Sequence, residues 1–160
     1  MIVNRQRQVQ VPVRALDRFL VRARRALSLP AEALTVCFVT DREIARWNRD
    51  YRGKIGPTDV LSFPSDEKPA NQPMRRTPRN AGPREERRLF SPACASYLGD
   101  IAIAPAIARR NARRLGRSFH DEMRILILHG MLHLLGYDHD ADSGQMDRRE
   151  RELRRGLGLA

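Results

Sequence analysis

Residues 123 to 135 read MRILILHGMLHLL, a run whose aliphatic side chains point to nearly every side of a helix. Such a segment has no face to offer water, so it reads as a helix buried in the core, and the rest of the chain must supply its walls. Its ends are marked as well. Ser118, with Asp121 three residues on, reads as a capping box that opens the helix at Phe119. Gly136 reads as the left-handed residue that stops it. A chain of 160 residues is long enough to surround such a helix and suggests one domain over 1–160.

The walls are legible in outline. IVNRQ, ALTVCFV, DVLSFP and YLGDIAIA read as strands, the last two stopped by Pro64 and near Pro105. Between the first two strands, a helix over about 12 to 27 places Leu16, Phe19, Leu20, Ala23 and Leu27 on one face. Thr40 or Asp41 caps a second helix running to about Arg49, with Ile44 and Trp47 turned inward. Residues 105 to 115 form a third, ending near Gly116. The stretch 66–93 breaks this order. It is rich in proline and arginine, almost free of apolar residues, and reads as a flexible basic insertion rather than a domain boundary. Over residues 66–92, seven Lys/Arg against four Asp/Glu give it a net +3.

The whole chain carries a formal net charge of +11, almost all of it on arginine, since Lys54 and Lys68 are the only lysines. A field of that sign attracts a polyanion. Arginine's planar fork also matches phosphate better than lysine's point charge does. No apolar stretch reaches the roughly 18 residues needed to cross a bilayer. The arginine-rich start lacks the apolar centre of a signal peptide. Cys37, inside an apolar strand, and Cys94, after the proline-rich stretch, suggest no disulfide framework, and a reducing cytoplasm is the expected location.

Three of the four histidines fall within HGMLHLLGYDH. His129 and His133, four apart, lie one turn apart on one helical face and can reach a single ion. The break at Gly136 lets the chain fold back and bring His139 to the same point. Three imidazoles leave a fourth tetrahedral position open on zinc, the arrangement of a catalytic rather than a structural site. His120, at the start of the helix, reads as a surface or capping residue. Many zinc peptidases share this spacing but carry a glutamate where this chain has Gly130. That absence and the positive charge disfavour peptide hydrolysis. Asp138 and Asp140 flank His139 and are the nearest carboxylates in sequence to stand in for the missing base.

HGMLHLLGYDH, with NRDYRGKIGPTDVLSFP and YLGDIAIA ahead of it in that order, closely resembles the bacterial YbeY family of ribosomal RNA maturation factors. The likeness spans nearly the whole chain, and the insertion at 66–93 is the one departure. The resemblance implies an α+β fold, a small mixed four-stranded sheet packed with about five helices. The zinc site would lie on the buried helix and its C-terminal turn. It also implies a zinc-dependent, single-strand-specific endoribonuclease acting in small-subunit rRNA 3′-end maturation and ribosome quality control. The expected partners are single-stranded or ribosomal RNA and the small ribosomal subunit, with no membrane and no DNA. One zinc ion per chain would be held by His129, His133 and His139, the three that with Arg52 make up the expected catalytic set. Arg52, in the matched YRGK, suits clamping a phosphate whose negative charge grows during attack. Asp59 and Asp100 sit in matched blocks; each either orients a ligand imidazole or satisfies a turn. Two routes for RNA stay open, attack by water or by the 2′-hydroxyl of RNA itself. So do a ribosome- or RNA-binding assembly factor whose metal is mainly structural, and a zinc hydrolase of another substrate.

Overall fold

The computed structural model describes residues 1–65, 97–138 and 144–159. The insertion expected at 66–93, Cys94, His139 and Asp140 therefore lie outside the described residues. Among the described residues, four strands, β1 (Ile2–Asn4), β2 (Leu34–Phe38), β3 (Val60–Pro64) and β4 (Gly99–Ile103), form one sheet in the order β1-β2-β4-β3. β1, β2 and β4 run parallel, and β3 pairs antiparallel with β4 from Val60↔Ile103 to Pro64↔Gly99. Among the described residues, five helices pack with the sheet: α1 (Val13–Ala26), α2 (Asp41–Arg52), α3 (Pro105–Arg114), α4 (Phe119–Leu134) and α5 (Gln145–Leu157). The expected mixed sheet and helix complement are both present. α5 was not among the elements read from hydrophobic periodicity.

Strand alternation divides the core in two. Leu34, Val36, Phe38, Ile101 and Ile103 share one cluster with α1, α4 and α5. Cys37, Leu61 and Ala102 share the other with Ile44 and Trp47 of α2. α4 is enclosed as its sequence demands, touching α1, α3, α5, β3 and β4, with Met123, Ile127, Leu128, Met131 and Leu132 fully buried. Among the described residues, no helix is long and apolar enough to cross a membrane.

Several ends differ from expectation, each for a local reason. β1 stops at Asn4 because the Gln6 side chain turns inward. Its amide donates to the Val9 carbonyl and accepts from the Val9 amide, both at 2.9 Å, which closes a loop. α2 runs past Arg49 to Arg52, since nothing breaks it before Gly53 adopts the left-handed conformation. The full capping box belongs to α2. Thr40 Oγ1 accepts from the Glu43 amide at 3.2 Å, and Glu43 Oε2 accepts from the Thr40 amide at 2.9 Å. At α4 only half a box forms. Ser118 Oγ accepts from the Asp121 amide at 3.0 Å, and the Asp121 carboxylate accepts from the Ser118 hydroxyl at 2.6 Å. Aspartate is one methylene shorter than glutamate, and here its carboxylate meets the hydroxyl rather than the cap backbone.

Candidate metal centre

α4 ends in a turn that reverses the chain. Gly136, at φ 90°, donates to the His133 carbonyl at 3.0 Å, and Tyr137 donates back to the Leu132 carbonyl at 3.1 Å. This is the paired backbone closure that a left-handed glycine permits. It leaves His129 and His133 on the last two turns of the helix, both half-buried. Their Nε2 atoms face each other at 3.1 Å. Two imidazole nitrogens on one tetrahedral zinc, each at about 2.0–2.1 Å, would stand about 3.3 Å apart. The observed spacing therefore fits a shared metal ion.

His129 has a second partner on its other nitrogen. Nδ1 lies 3.1 Å from Oε2 of Glu150, on α5, whose side chain is 8 % exposed. Arg154, one turn further along α5, donates to Oε1 of the same carboxylate. Burial alone would raise the Glu150 carboxyl, but its bonds to His129 and the Arg154 charge outweigh that and hold it below the ordinary carboxylate range. Glu150 went unread in the sequence, although a signal was there. It sits on the buried face of α5 with Met146, Leu153 and Leu157, a charged residue on an apolar stripe.

Gly130 explains the missing glutamate in steric terms. It is buried against the sheet, where an added Cβ would lie 2.7 Å from Cγ2 and 3.0 Å from Cδ1 of Ile101. Its carbonyl accepts from the Ser62 hydroxyl of β3 at 3.2 Å. A glutamate here would be driven into β4, so the position cannot host a general base without moving the helix away from the sheet.

For both aspartates left open above, the structure favours the local role. Asp59 Oδ2 accepts from the Asn111 side-chain amide of α3 at 2.9 Å, and Oδ1 accepts from the Thr58 hydroxyl at 3.3 Å. Asp100 accepts from Tyr97 Oη at 2.5 Å. Its strand parity, shared with Ala102, places it on the face opposite α4. Burial raises the Asp100 carboxyl, and the Tyr97 bond only partly opposes this. Among the described residues, neither bonds to a histidine. Asp138 is exposed.

Arg52 ends α2 with its side chain exposed and makes no hydrogen bond or ion pair among the described residues. Its helix packs on the sheet face opposite α4, and no bond joins Arg52 to either histidine there. Asn48, buried one turn earlier, donates to the Gly56 carbonyl at 2.9 Å and pins the loop that follows. His120 lies at the first turn of α4, away from the pair, as expected. Burial and the nearby Arg124 lower its pKa.

Comparison with known proteins adds family relationship to geometry. The family model described as Endoribonuclease YbeY matches residues 1–158. The chain is 32 % identical to Endoribonuclease YbeY of Sulfurovum sp. over 157 residues, covering 98 % of this chain and 90 % of the relative. It is 36 % identical to that of Koribacter versatilis over 159 residues, covering 99 % and 86 %. It is 38 % identical to that of Moorella thermoacetica over 147 residues, covering 90 % and 85 %. A solution structure of a Thermotoga maritima protein superposes with a TM-score of 0.60 at 25 % identity, covering 98 % of this chain and 89 % of that one. The expected fold and the expected kinship agree, and the chain belongs to the Endoribonuclease YbeY family.

Proposed function

We propose that this chain is a zinc-dependent endoribonuclease that cleaves single-stranded RNA in the maturation and quality control of the small ribosomal subunit. The observation that carries the reading is the pair of Nε2 atoms of His129 and His133, 3.1 Å apart, in a chain of this family. His139, three residues past Gly136, is the proposed third ligand. These residues would hold a zinc ion, which would supply Lewis acidity and lower the pKa of water toward about 7. The chain's own groups do the rest. Arg52, exposed and bonded to none of the described residues, is proposed to meet the scissile phosphate, where added negative charge develops. The net charge of +11 gathers the polyanion and holds it by its backbone.

The test is metal-replete, nuclease-free protein incubated with single-stranded and structured RNA beside His133→Ala. Zinc-dependent cutting of the single-stranded RNA, lost in the variant, is the expected outcome. Tight RNA binding without cleavage would favour an assembly factor with a structural metal instead.

A further inference from the structure

The two nitrogens of His129 are engaged by different parts of the molecule, and the partner of one decides what the other offers. Nδ1 faces Glu150 Oε2 at 3.1 Å, and Nε2 faces His133 Nε2 at 3.1 Å. A carboxylate can only accept, so Nδ1 must carry the proton. In the neutral ring Nε2 is then a bare lone pair directed at His133. We infer that Glu150 is a positioning residue that locks His129 in this tautomer, so that the imidazole is a ready ligand before a metal ion arrives. The inference rests on the metal-dependent reading above and adds a residue that reading did not need.

Glu150 is itself held. Among the described residues it is, with Glu122, one of two buried charged residues, and Arg154 grips Oε1 from the next turn of α5. The carboxylate thus has one oxygen for the arginine and one for the histidine. Met146, Leu153 and Leu157 on the same face of α5 pack into the core and fix the distance between α5 and α4. A carboxylate on the far nitrogen also makes the imidazole a stronger donor, and loss of such a partner typically costs 10–100-fold in metal affinity.

The arrangement makes an atom-level forecast for Glu150→Gln. Arg154 can only donate, so it will claim the amide oxygen. The amide nitrogen then faces His129 Nδ1 and also donates. His129 must accept at Nδ1, and its proton moves to Nε2, the atom that should bind metal. The ring would have to change tautomer before each binding event.

The experiment has two readouts on full-length protein. The first is the His129 tautomer in metal-free, 15N-labelled protein at about pH 8, read from long-range proton–nitrogen correlations. Protonated Nδ1 with bare Nε2 is expected in the wild type, and the reverse in Glu150→Gln. The second is zinc affinity by competition with a chromophoric chelator, expected to fall about 10–100-fold in the variant. A wild type with protonated Nε2 overturns the inference, and that measurement decides it alone if the variant does not fold. A folded variant with wild-type tautomer and wild-type zinc affinity also overturns it, while leaving zinc-dependent RNA cleavage by the wild type untouched. A wild type with no measurable zinc affinity overturns both.

Discussion

A β-carbon on Gly130 would sit 2.7 Å from Cγ2 of Ile101, so the absence of a side chain lets α4 rest on β4. Alanine is normally worth about 1 kcal/mol over glycine inside a helix. Here overpacking against a fully buried isoleucine should reverse the sign and destabilise Gly130→Ala by about 1–3 kcal/mol. The cost should shrink in an Ile101→Ala background, where the clash is gone. Urea unfolding of the four proteins in this cycle checks both statements. A Gly130→Ala protein more stable than the wild type would mean the contact relaxes freely.

Zinc content should follow the histidines. The wild type is expected to retain about one zinc ion per chain through dialysis, and His133→Ala to lose most of it, because one fewer imidazole leaves a much weaker site. Elemental analysis decides, and full occupancy in His133→Ala would contradict the assignment.

Arg52→Ala should separate chemistry from structure. Its side chain is exposed and bonded to nothing described, so fold and zinc content should stay at wild-type levels. Cleavage should fall by roughly two to three orders of magnitude if the guanidinium stabilises charge on the phosphate. Wild-type turnover in single-turnover assays would make it an ordinary surface arginine.

RNA binding and RNA cleavage should depend on different residues. Binding is expected to weaken steeply with added salt, as phosphates exchange arginines for counterions. His129→Ala should keep most binding and lose cleavage. Shortening 66–93, which carries part of the positive charge, should flatten the salt dependence while leaving zinc in place. Filter binding over a salt series, with cleavage followed in parallel, tests all three. Loss of binding in a folded His129→Ala protein would make the metal a principal RNA anchor.

Cys37 supplies a pH-dependent prediction. Burial pushes its thiol from an ordinary 9.0 up to about 11. A raised folded pKa gives stability that is complete below the unfolded value and is lost as pH climbs toward the folded one. Between about pH 9 and 11 the unfolded thiol ionises while the folded one does not, removing roughly 2–3 kcal/mol. In a Cys94→Ser background, Cys37→Ala should show a flatter alkaline stability profile. At neutral pH the Cys37 thiol should resist maleimide until the protein unfolds, and prompt labelling of native protein would show that the strand opens.

The sequence made the scaffold legible where a local rule governed it. The enclosed α4, its stop at Gly136 and the inward face of α1 all follow from side-chain spacing. Likewise, the four strands follow from apolar runs bounded by turn residues. The site was legible only in part. His129 and His133 share a helix, so their proximity is set by helical pitch. The bond between His129 and Glu150 joins residues on different helices, 21 apart, and depends on how α5 docks on α4. Asp59 and Asp100 show the converse. Their place in matched blocks left service to a histidine and a local role equally open, while the pleat of β4 points Asp100 to the face opposite α4 and α3 supplies Asn111 to Asp59. Alternation along a strand and the stripe on a helix are local, but which helix each face meets is a tertiary fact that they do not encode.

The antiparallel pair β3–β4 closes on itself at the two described residues, 65 and 97, that flank the segment 66–96. Pro64 pairs with Gly99, and Ser65 donates to the Leu98 carbonyl at 2.8 Å and, through its hydroxyl, to the Tyr97 carbonyl at 2.6 Å. Gly99 makes the closure sterically feasible, since at φ 139° any Cβ would land 2.0 Å from the Phe63 carbonyl oxygen. Whatever chain is threaded between residues 65 and 97 thus leaves and re-enters at one clasp. Lengthening it adds only a logarithmic entropy cost, about 0.6 kcal/mol per doubling. The clasp is a natural docking port for protein engineering: a fluorescent reporter, an affinity handle or an RNA-targeting module could be spliced in there without re-registering a strand.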